Sequence, residues 1–323
     1  MKSTLPSMGQ AVVCIIFNSA ANDVEMPGKQ SKRSLSSQKS SSTPTKRAKM
    51  DPPPGEEFSL ATVVDNVKKA AIAHSHLPAA VVSKVFEQDA AISYLTTDRK
   101  SWIYHVPRWY KYVFEHATPE ELQVSSTERA ADEAEPPVTW STLFKRAWEA
   151  HPKEHDTIMM FGKPAKLPRF QQLCGEMGSY RYSGKTFEAR KKYPQGLEHA
   201  VQQMQNMVEN PGTHRTRLTG GLVNWYENGD HYIGPHADDE RDMMACSPIV
   251  ALSLGATRRF VFTKKTSKSA PQDDQAVARL ELQMEDGDLM IMGGTTQRTH
   301  KHAVPKMAKC REPRISITLR CFS

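Results

Sequence analysis

The sequence of 323 residues has few cysteines and no long apolar segment, and both shortages narrow the class of protein. Its five cysteines are scattered and form no CxxC pair, which argues against a disulfide-rich secreted fold and a structural zinc knuckle and favours a reducing compartment. The longest apolar run near the start, residues 11–17, falls well short of the roughly 18 residues that a membrane helix needs. We therefore expect no membrane-spanning segment.

The chain also lacks the glycine-rich phosphate-binding motifs GxGxxG and GxxxxGK[ST], and it shows no internal repeat of the kind found in solenoids. Nucleotide-binding α/β folds and repeat architectures are therefore unsupported. Hydrophobic residues make up 38% of the chain and charged residues 24%, enough for a packed core. The length is typical of about two domains.

The basic charge of the chain is concentrated at its N-terminus. Residues 1–55 contain eight Lys and Arg against three acids, so most of the net charge of +7 lies there. Residues 18–57 are rich in Ser, Lys, Pro and Thr and nearly free of large apolar groups, a composition typical of disorder. The clusters at 32–33 and 46–49 are typical of a nuclear import signal, a weak nucleic-acid tether or a merely solubilising tail. We predict a disordered basic tail over residues 1–57 and a nuclear location.

Residues 58–150 are predicted to form a helical N-terminal extension of unknown role. Apolar residues between 60 and 72 recur near a period of 3.6. Residues 101–114 contain six aromatic side chains interleaved with Arg108 and Lys111, which could stack on bases but more often form core. An acidic stretch ending at Pro136 and Pro137 indicates an exposed linker or surface loop.

Beyond residue 150 the pattern changes to short β-type runs separated by Gly and Asp. The predicted strands cover residues 222–226, 249–254, 259–263, 278–283, 288–292 and 314–321. Several short strands with turn residues between them favour a sandwich or barrel. Residues 151–323 are therefore predicted to form one mainly β domain.

A metal-binding pattern lies in the segment His236-Ala-Asp238. In an extended segment the two side chains project on the same side, with Cα atoms about 6.6 Å apart, so both can bind one ion. A third ligand would come from a distant strand, where His300 and His302 are the candidates. Two histidines and a carboxylate form the facial triad of non-haem Fe(II) oxygenases, although zinc takes the same ligands.

The segment 314–320 supports the oxygenase alternative. In a strand, Arg314, Ser316, Thr318 and Arg320 share one face, and the other face is apolar. Two guanidinium groups on an inward face are costly unless they meet anions. A dicarboxylate cosubstrate would supply those anions through bidentate pairing, whereas an edge strand with two solvated arginines would need none.

Taken together, these motifs resemble the AlkB-type Fe(II)/2-oxoglutarate dioxygenases, in the branch that repairs alkylated nucleic acid. The resemblance covers residues 160–322, about half of the chain. Its motifs are Asn-x-Tyr at 224–226, His-x-Asp-Asp-Glu at 236–240, Ser-Pro-Ile at 247–249, Ser-Leu-Gly-Ala-Thr-Arg-Arg-Phe at 253–260, Gly-Asp-Leu-Met-Ile-Met at 287–292, His-x-Val-Pro at 302–305 and Glu-Pro-Arg at 312–314 followed by Arg320.

The resemblance implies an α+β, mainly β fold with a double-stranded β-helix (jelly-roll) core and flanking helices. It also implies that His236, Asp238 and His302 bind Fe(II). His302 is preferred to His300 because His-x-Val-Pro, twelve residues before Arg314, matches the family pattern. O2 and 2-oxoglutarate are then the cosubstrates.

The family's 2-oxoglutarate site carries over to five positions. Arg314 and Tyr226 are expected to hold the distal carboxylate, and Arg320 and Asn224 to lie near the carboxylate that chelates iron. The family usually has Asn where this chain has Ser316, which can still donate one hydrogen bond.

For the substrate side, the resemblance implies that Tyr182 stacks on a flipped base and that Asp239 and Glu240 line the base pocket. Phe161 is expected to act as an apolar wedge in duplex DNA, with Arg169 near the lesion. The expected activity is oxidative demethylation of 1-methyladenine and 3-methylcytosine in DNA, with formaldehyde released, by a monomer that binds no membrane. The alternatives are the same chemistry on methylated RNA, or a non-catalytic jelly-roll module that binds nucleic acid or protein.

Overall fold

The computed structural model describes residues 59–75, 86, 90–122, 138–160, 163–182, 185–207, 217–240, 242–266 and 273–322. These residues all belong to one compact unit, Lys49–Ser323. The predicted disordered tail, 1–57, and the predicted wedge residue Phe161 lie outside the described residues.

Most of the helices lie in the first half of the described chain, and strands dominate the second half. The helices are α1 (Leu60–Ser75), α2 (Trp109–Glu115), α3 (Pro119–Leu122), α4 (Trp140–Glu149), α5 (Glu198–Asn206) and α6 (Thr296–Thr299). The first eight strands are β1 (Ala91–Tyr94), β2 (Ser101–Val106), β3 (Thr157–Met160), β4 (Lys163–Lys166), β5 (Phe170–Gly175), β6 (Ser179–Tyr182), β7 (Lys185–Glu188) and β8 (Gly220–Tyr226). The last seven are β9 (Ile233–His236), β10 (Ile249–Gly255), β11 (Arg258–Lys264), β12 (Arg279–Met284), β13 (Leu289–Gly294), β14 (His300–Val304) and β15 (Arg314–Arg320).

The strands form two main antiparallel sheets. The large sheet has the order β1-β2-β13-β10-β15-β8-β5, and the small sheet has the order β12-β11-β14-β9. Two hairpins, β3–β4 and β6–β7, stand apart from these sheets. This mainly β architecture with flanking helices confirms the predicted jelly-roll class.

The large sheet is buried on both faces. Alternate residues of β10, such as Val250 and Leu252, pack in a core that includes Val67 of α1 and Ala147 of α4. The intervening residues, such as Ile249, pack in a second core with side chains of β11, β12 and β14. The space between the sheets therefore holds one core, and the helices cover the outer face of the large sheet.

The structure confirms all six predicted strands of the second half, as β8, β10, β11, β12, β13 and β15. The strands that carry His236 and His302, β9 and β14, are not among the six predicted runs, although the metal-binding pattern assumed an extended segment at 236–238 and a distant strand at His300 and His302. Their sequences, Ile-Gly-Pro-His and His-Lys-His-Ala-Val, are short and contain too few apolar residues for an alternating pattern. Their extended shape depends on pairing with each other and with β11.

The helical interpretation of residues 58–150 is wrong for residues 91–106. These residues form β1 and β2, and β2 pairs with β13 in register from Leu289↔Val106 to Gly294↔Ser101. Five of the six residues of β2 are buried, so its sequence lacks the alternation that marks a half-buried strand. The predicted boundary between residues 150 and 151 stays a prediction, but part of the preceding segment is built into the large sheet.

The aromatic stretch 101–114 is core, as expected. Trp102, Tyr104, Trp109 and Tyr110 are each at most 4% exposed. Such side chains are not available to stack on bases, so the nucleic-acid interpretation of this stretch is wrong.

Candidate metal centre and cosubstrate cleft

Pairing of β9 with β14 brings the predicted metal ligands together. His302 lies directly opposite His236 in the register of the two strands, and Asp238 follows two residues after the end of β9. One potential ligand atom from each of these three residues lies within 4.8 Å of the others. His236 Nε2 is 3.6 Å from Asp238 Oδ1, and His302 Nε2 is 3.8 Å from Asp238 Oδ2.

The protonation states of the cluster suit a divalent metal ion. His236 Nδ1 lies 2.9 Å from the carbonyl oxygen of Gly234, so an Nδ1–H donor leaves the Nε2 lone pair facing the cluster. Burial, together with a smaller effect of the neighbouring His236, lowers the pKa of His302 to about 3, so this imidazole is neutral. Burial alone would raise the pKa of Asp238, but Arg320 and the two histidines lower it to about 2. Neutral imidazoles and an ionised carboxylate are the forms that bind metal.

Asp238 is fixed at both its carboxylate and its backbone. Arg320 donates to Asp238 Oδ2 through Nε at 3.1 Å and Nη2 at 2.9 Å. The backbone N–H of Asp238 donates to Gln297 Oε1 at 3.0 Å. Oδ1 of Asp238 is left on the side of His236, where it can serve as a ligand atom.

His300 is separate from this cluster. Its Nε2 lies 2.8 Å from the carbonyl oxygen of Val277, and its Nδ1 lies 2.9 Å from Thr299 Oγ1. The His300 side chain is buried and both of its ring nitrogens contact other groups, so these contacts indicate a structural role. The structure therefore brings His302, and not His300, to His236 and Asp238.

The predicted cosubstrate residues meet on two neighbouring strands. In the β8–β15 register, Tyr226 lies opposite Arg314, and Asn224 lies opposite Ser316. Arg314 Nε donates to Ser253 Oγ at 2.9 Å, and its guanidinium carbon lies 5.2 Å from the centre of the Tyr226 ring.

Arg314 carries the clearest mark of an anion site. It is 2% exposed, and its buried Nη1 has no hydrogen-bond partner in the described part of the chain. Burial lowers the pKa of Arg314 to about 10, a value at which the group remains charged at neutral pH. A buried guanidinium with an unused donor fits a carboxylate ligand, because the pairing would offset the cost of burying the charge.

An open cleft lies beside the metal-ligand cluster. His236, Asp238 and Arg320 line it together with Arg169 and Glu240. Its remaining lining residues are Gln171, Leu173, Leu222, Ile233 and Ala237. This mixture of apolar walls with a few charged groups is typical of a ligand site.

Arg169 is buried inside this cleft. It is 4% exposed and donates to Asn224 Oδ1 at 2.7 Å and to Gln171 Oε1 at 3.1 Å. The predicted DNA contact of Arg169 stays a prediction, and it would have to be made through the cleft. Since Arg169 occupies the oxygen of Asn224, the amide nitrogen of Asn224 remains as a donor.

The predicted base-pocket residues lie at different positions relative to the cleft. Glu240 lines it, whereas the exposed Asp239 lies 3.6 Å from Lys265 Nζ. Tyr182 is the last residue of β6 and pairs with Lys185, but its side chain is outside the described part of the structure.

Three residues at the site carry no signal in the sequence. Gln171 lies on β5, which the sequence pattern does not reveal, and it pairs with Asn224 across strands. Gln297 lies on α6, and Lys265 directly follows the end of β11. Only the fold places them there, since their roles depend on contacts between distant segments.

Comparison with known proteins finds relatives whose similarity covers about half of this chain. The DNA oxidative demethylase ALKBH2 of Homo sapiens is 34% identical over 170 residues, which cover 50% of this chain and 60% of that protein. The alpha-ketoglutarate-dependent dioxygenase alkB homolog 3 of Homo sapiens is 33% identical over 153 residues, covering 47% of this chain and 51% of that protein. The DNA oxidative demethylase ALKBH2 of Arabidopsis thaliana is 29% identical over 187 residues, covering 52% of this chain and 58% of that protein.

The family profile described as "2OG-Fe(II) oxygenase superfamily" matches residues 132–320, more than half of the chain. This match, the AlkB-type relatives and the cluster of two histidines and one aspartate agree with one another. This family implies Fe(II) as the cofactor and 2-oxoglutarate and O2 as the cosubstrates. The chain belongs to the 2OG-Fe(II) oxygenase superfamily, and the predicted AlkB-type resemblance is confirmed.

Proposed function

We propose that this protein oxidatively demethylates N-alkylated bases in DNA. The observation that carries the proposal is the cluster of His236, Asp238 and His302 beside a cleft. The substrate class comes from the relatives, two of which are named as DNA oxidative demethylases, although each relative is covered only in part.

The residues present fit the metal and cosubstrate that the family implies. His236 Nε2, His302 Nε2 and a carboxylate oxygen of Asp238 would hold Fe(II), leaving coordination positions for other ligands. Arg314, with its unused buried donor, would bind one carboxylate of 2-oxoglutarate. When bound, iron with 2-oxoglutarate and O2 would supply hydroxylation of the N-methyl group: O2 is the oxidant, 2-oxoglutarate is converted to succinate and CO2, and the hydroxymethyl group leaves the base as formaldehyde.

The chain's own side chains supply position and charge. Arg320 holds Asp238 ionised and in place. Arg169 orients the amide of Asn224 so that its nitrogen can donate to a carboxylate, as proposed for the iron-chelating end of the cosubstrate. Ser316, opposite Asn224 in the register, offers a hydroxyl on the same pair of strands.

Negative side chains near the cleft favour a cationic base. Glu240 lines the cleft, and Asp239 follows the metal ligand Asp238 directly. Because 1-methyladenine and 3-methylcytosine carry a positive charge that the undamaged bases lack, carboxylates would favour the damaged base. Tyr182 would stack on the flipped base, in keeping with its place at the end of β6.

A DNA wedge at Phe161 is part of the proposal. β3 and β4 pair up to Met160↔Lys163, so the sequence between these paired residues is Phe161-Gly162. An apolar side chain between two paired strands suits insertion into a base stack, and Lys163 is an exposed neighbour that could meet phosphate.

We further propose that the protein acts as a monomer in the nucleus. The basic clusters at 32–33 and 46–49 support nuclear import. Among the described residues, no helix is long and apolar enough to cross a bilayer.

The test is formaldehyde release from a single-stranded DNA oligonucleotide that carries one 1-methyladenine, with Fe(II), ascorbate and 2-oxoglutarate. We expect release that requires the methylated base and is lost in Asp238→Ala. A matching RNA oligonucleotide tests whether DNA or RNA is the preferred substrate. Faster formaldehyde release from RNA than from DNA would show that RNA is preferred. No release from either oligonucleotide, by protein that binds metal, would refute the proposed function and favour a binding module.

A further inference from the structure

We propose that Gln297 is a positioning residue for the metal centre, acting through the backbone of Asp238. The inference rests on the proposed function in one respect, because it takes Asp238 to be a metal ligand. Gln297 touches none of the reacting groups, so its effect would be exerted through the geometry of the ligand cluster.

The contact is a single hydrogen bond between two distant segments of the chain. The backbone N–H of Asp238 donates to Gln297 Oε1 at 3.0 Å, across 59 residues of sequence. Asp238 itself is 2% exposed, so this N–H would be a buried donor without its acceptor. Gln297 therefore fixes the peptide of Asp238, while Arg320 fixes its carboxylate.

Two further contacts hold Gln297 in place. Its Nε2 donates to Met292 Sδ at 3.4 Å, so the amide is oriented with Oε1 toward Asp238. The backbone carbonyl oxygen of Gln297 accepts a hydrogen bond from Lys265 Nζ at 2.8 Å. The same ammonium group lies 3.6 Å from Asp239 Oδ2. Lys265 thus links Gln297 to the residue that follows the metal ligand.

The position of Gln297 joins the two ligand-bearing segments. It lies in α6, which runs directly into β14 and its ligand His302, whereas Asp238 follows β9. Apart from the pairing of β9 with β14, the Gln297–Asp238 bond is a direct tie between these segments. Loss of this tie would let the Asp238 peptide rotate and would widen the ligand cluster. Outer-sphere contacts of this kind typically change metal affinity tenfold or more.

The experiment measures Co(II) affinity by the visible absorption of the bound ion, with Co(II) alone as the probe. Gln297→Met removes the acceptor at nearly the same volume, and Gln297→Glu keeps an acceptor oxygen. We expect Gln297→Met to weaken Co(II) binding by about tenfold. Gln297→Glu should bind at least as tightly as wild type, because it retains the acceptor and adds negative charge near the ion. The matched control is Gln202→Met, a substitution of an exposed glutamine on α5.

Equal affinity of Gln297→Met and wild type would overturn the inference, and so would a loss in Gln297→Glu as large as that in Gln297→Met. Thermal unfolding without metal checks folding. If Gln297→Met does not fold, Gln297→Asn withdraws the acceptor while keeping the amide, and it should show the same weakening. Failure of wild type to bind Co(II) would refute the proposed function as well, whereas binding by wild type with no effect of Gln297 refutes this inference alone.

Discussion

Replacing Arg314 by methionine should change the stability of the bare protein little and weaken its cosubstrate complex strongly. Burial lowers the pKa of Arg314 from 12.5 to about 10, which corresponds to about 3 kcal/mol disfavouring the charged form in the fold. Methionine removes this cost but also removes the bond to Ser253 and the contact with Tyr226, together worth about 2 kcal/mol. The melting temperature of the cosubstrate-free protein should therefore change by less than about 3 °C.

Cosubstrate binding should suffer much more in the same variant. Removing one partner of a buried, hydrogen-bonded charge pair costs about 3 kcal/mol, or about a hundredfold in Kd. With Mn(II) present and 2-oxoglutarate at about a hundred times its Kd, wild type should gain about 2.7 kcal/mol, which raises Tm by roughly 5–10 °C. At the same concentration the variant should gain about 0.4 kcal/mol, a shift of about 1 °C.

Differential scanning fluorimetry measures all of these states, with Arg311→Met as the matched control on an exposed arginine three residues earlier. The control should keep the full shift with 2-oxoglutarate. If Arg314→Met also keeps the full shift, Arg314 does not hold the cosubstrate. If the cosubstrate-free variant melts more than about 5 °C below wild type, the reasoning about its burial cost is wrong.

Three further predictions concern the metal centre, the DNA contact and the helix packing. His302→Ala should abolish the absorption of bound Co(II) and the release of formaldehyde. His300→Ala should keep metal binding, because His300 contacts a backbone carbonyl and a hydroxyl group outside the cluster. The reverse outcome would show that His300, and not His302, is the third ligand. Phe161→Ala should lower the rate of formaldehyde release from duplex DNA more than from single-stranded DNA. Equal losses of rate on the two substrates would refute the proposed wedge role of Phe161. Trp225→Phe should lower the free energy of unfolding, measured by urea denaturation, by about 1–2 kcal/mol, because the Trp225 indole donates to the carbonyl oxygen of Ala147 at 2.8 Å. An unchanged unfolding midpoint would show that this hydrogen bond makes no net contribution to stability.

Short β-type runs bounded by turn residues were enough to predict four of the seven strands of the large sheet, β8, β10, β13 and β15. Arg314 and Arg320 could be placed on one face of a strand because their spacing is even and the residues between them alternate. The partners of these arginines could not be predicted in the same way. Arg314 reaches Ser253 and Arg320 reaches Asp238, which lie 61 and 82 residues away in the chain.

Local sequence was least informative where strands were short or buried on both faces. β2 was taken as helix because a continuous apolar run has no period that separates strand from helix. The choice of His302 over His300 depended on the family pattern, since both residues are candidates by residue type alone. His300 and His302 lie two residues apart on β14 and share one face of the strand. The structure separates them by their partners, because His300 meets the carbonyl oxygen of Val277 and His302 meets Asp238.

The role of Gln297 had no local signal for another reason. A glutamine that binds a backbone N–H across 59 residues depends on where a four-residue helix meets a loop. Motifs report residues that bind ions or substrates directly, and a residue that positions them has no fixed spacing to the ligands. Such residues appear only once the tertiary contacts are known.

The most direct measurement is the mass of a single-stranded DNA oligonucleotide carrying one 1-methyladenine after incubation with the protein, Fe(II), ascorbate and 2-oxoglutarate. Asp238→Ala is run in parallel. We expect loss of one methyl group in the wild-type reaction, dependent on 2-oxoglutarate and matched by equimolar succinate, and no change with Asp238→Ala. An unchanged oligonucleotide with wild-type protein that binds metal, or equal demethylation by Asp238→Ala, would contradict it.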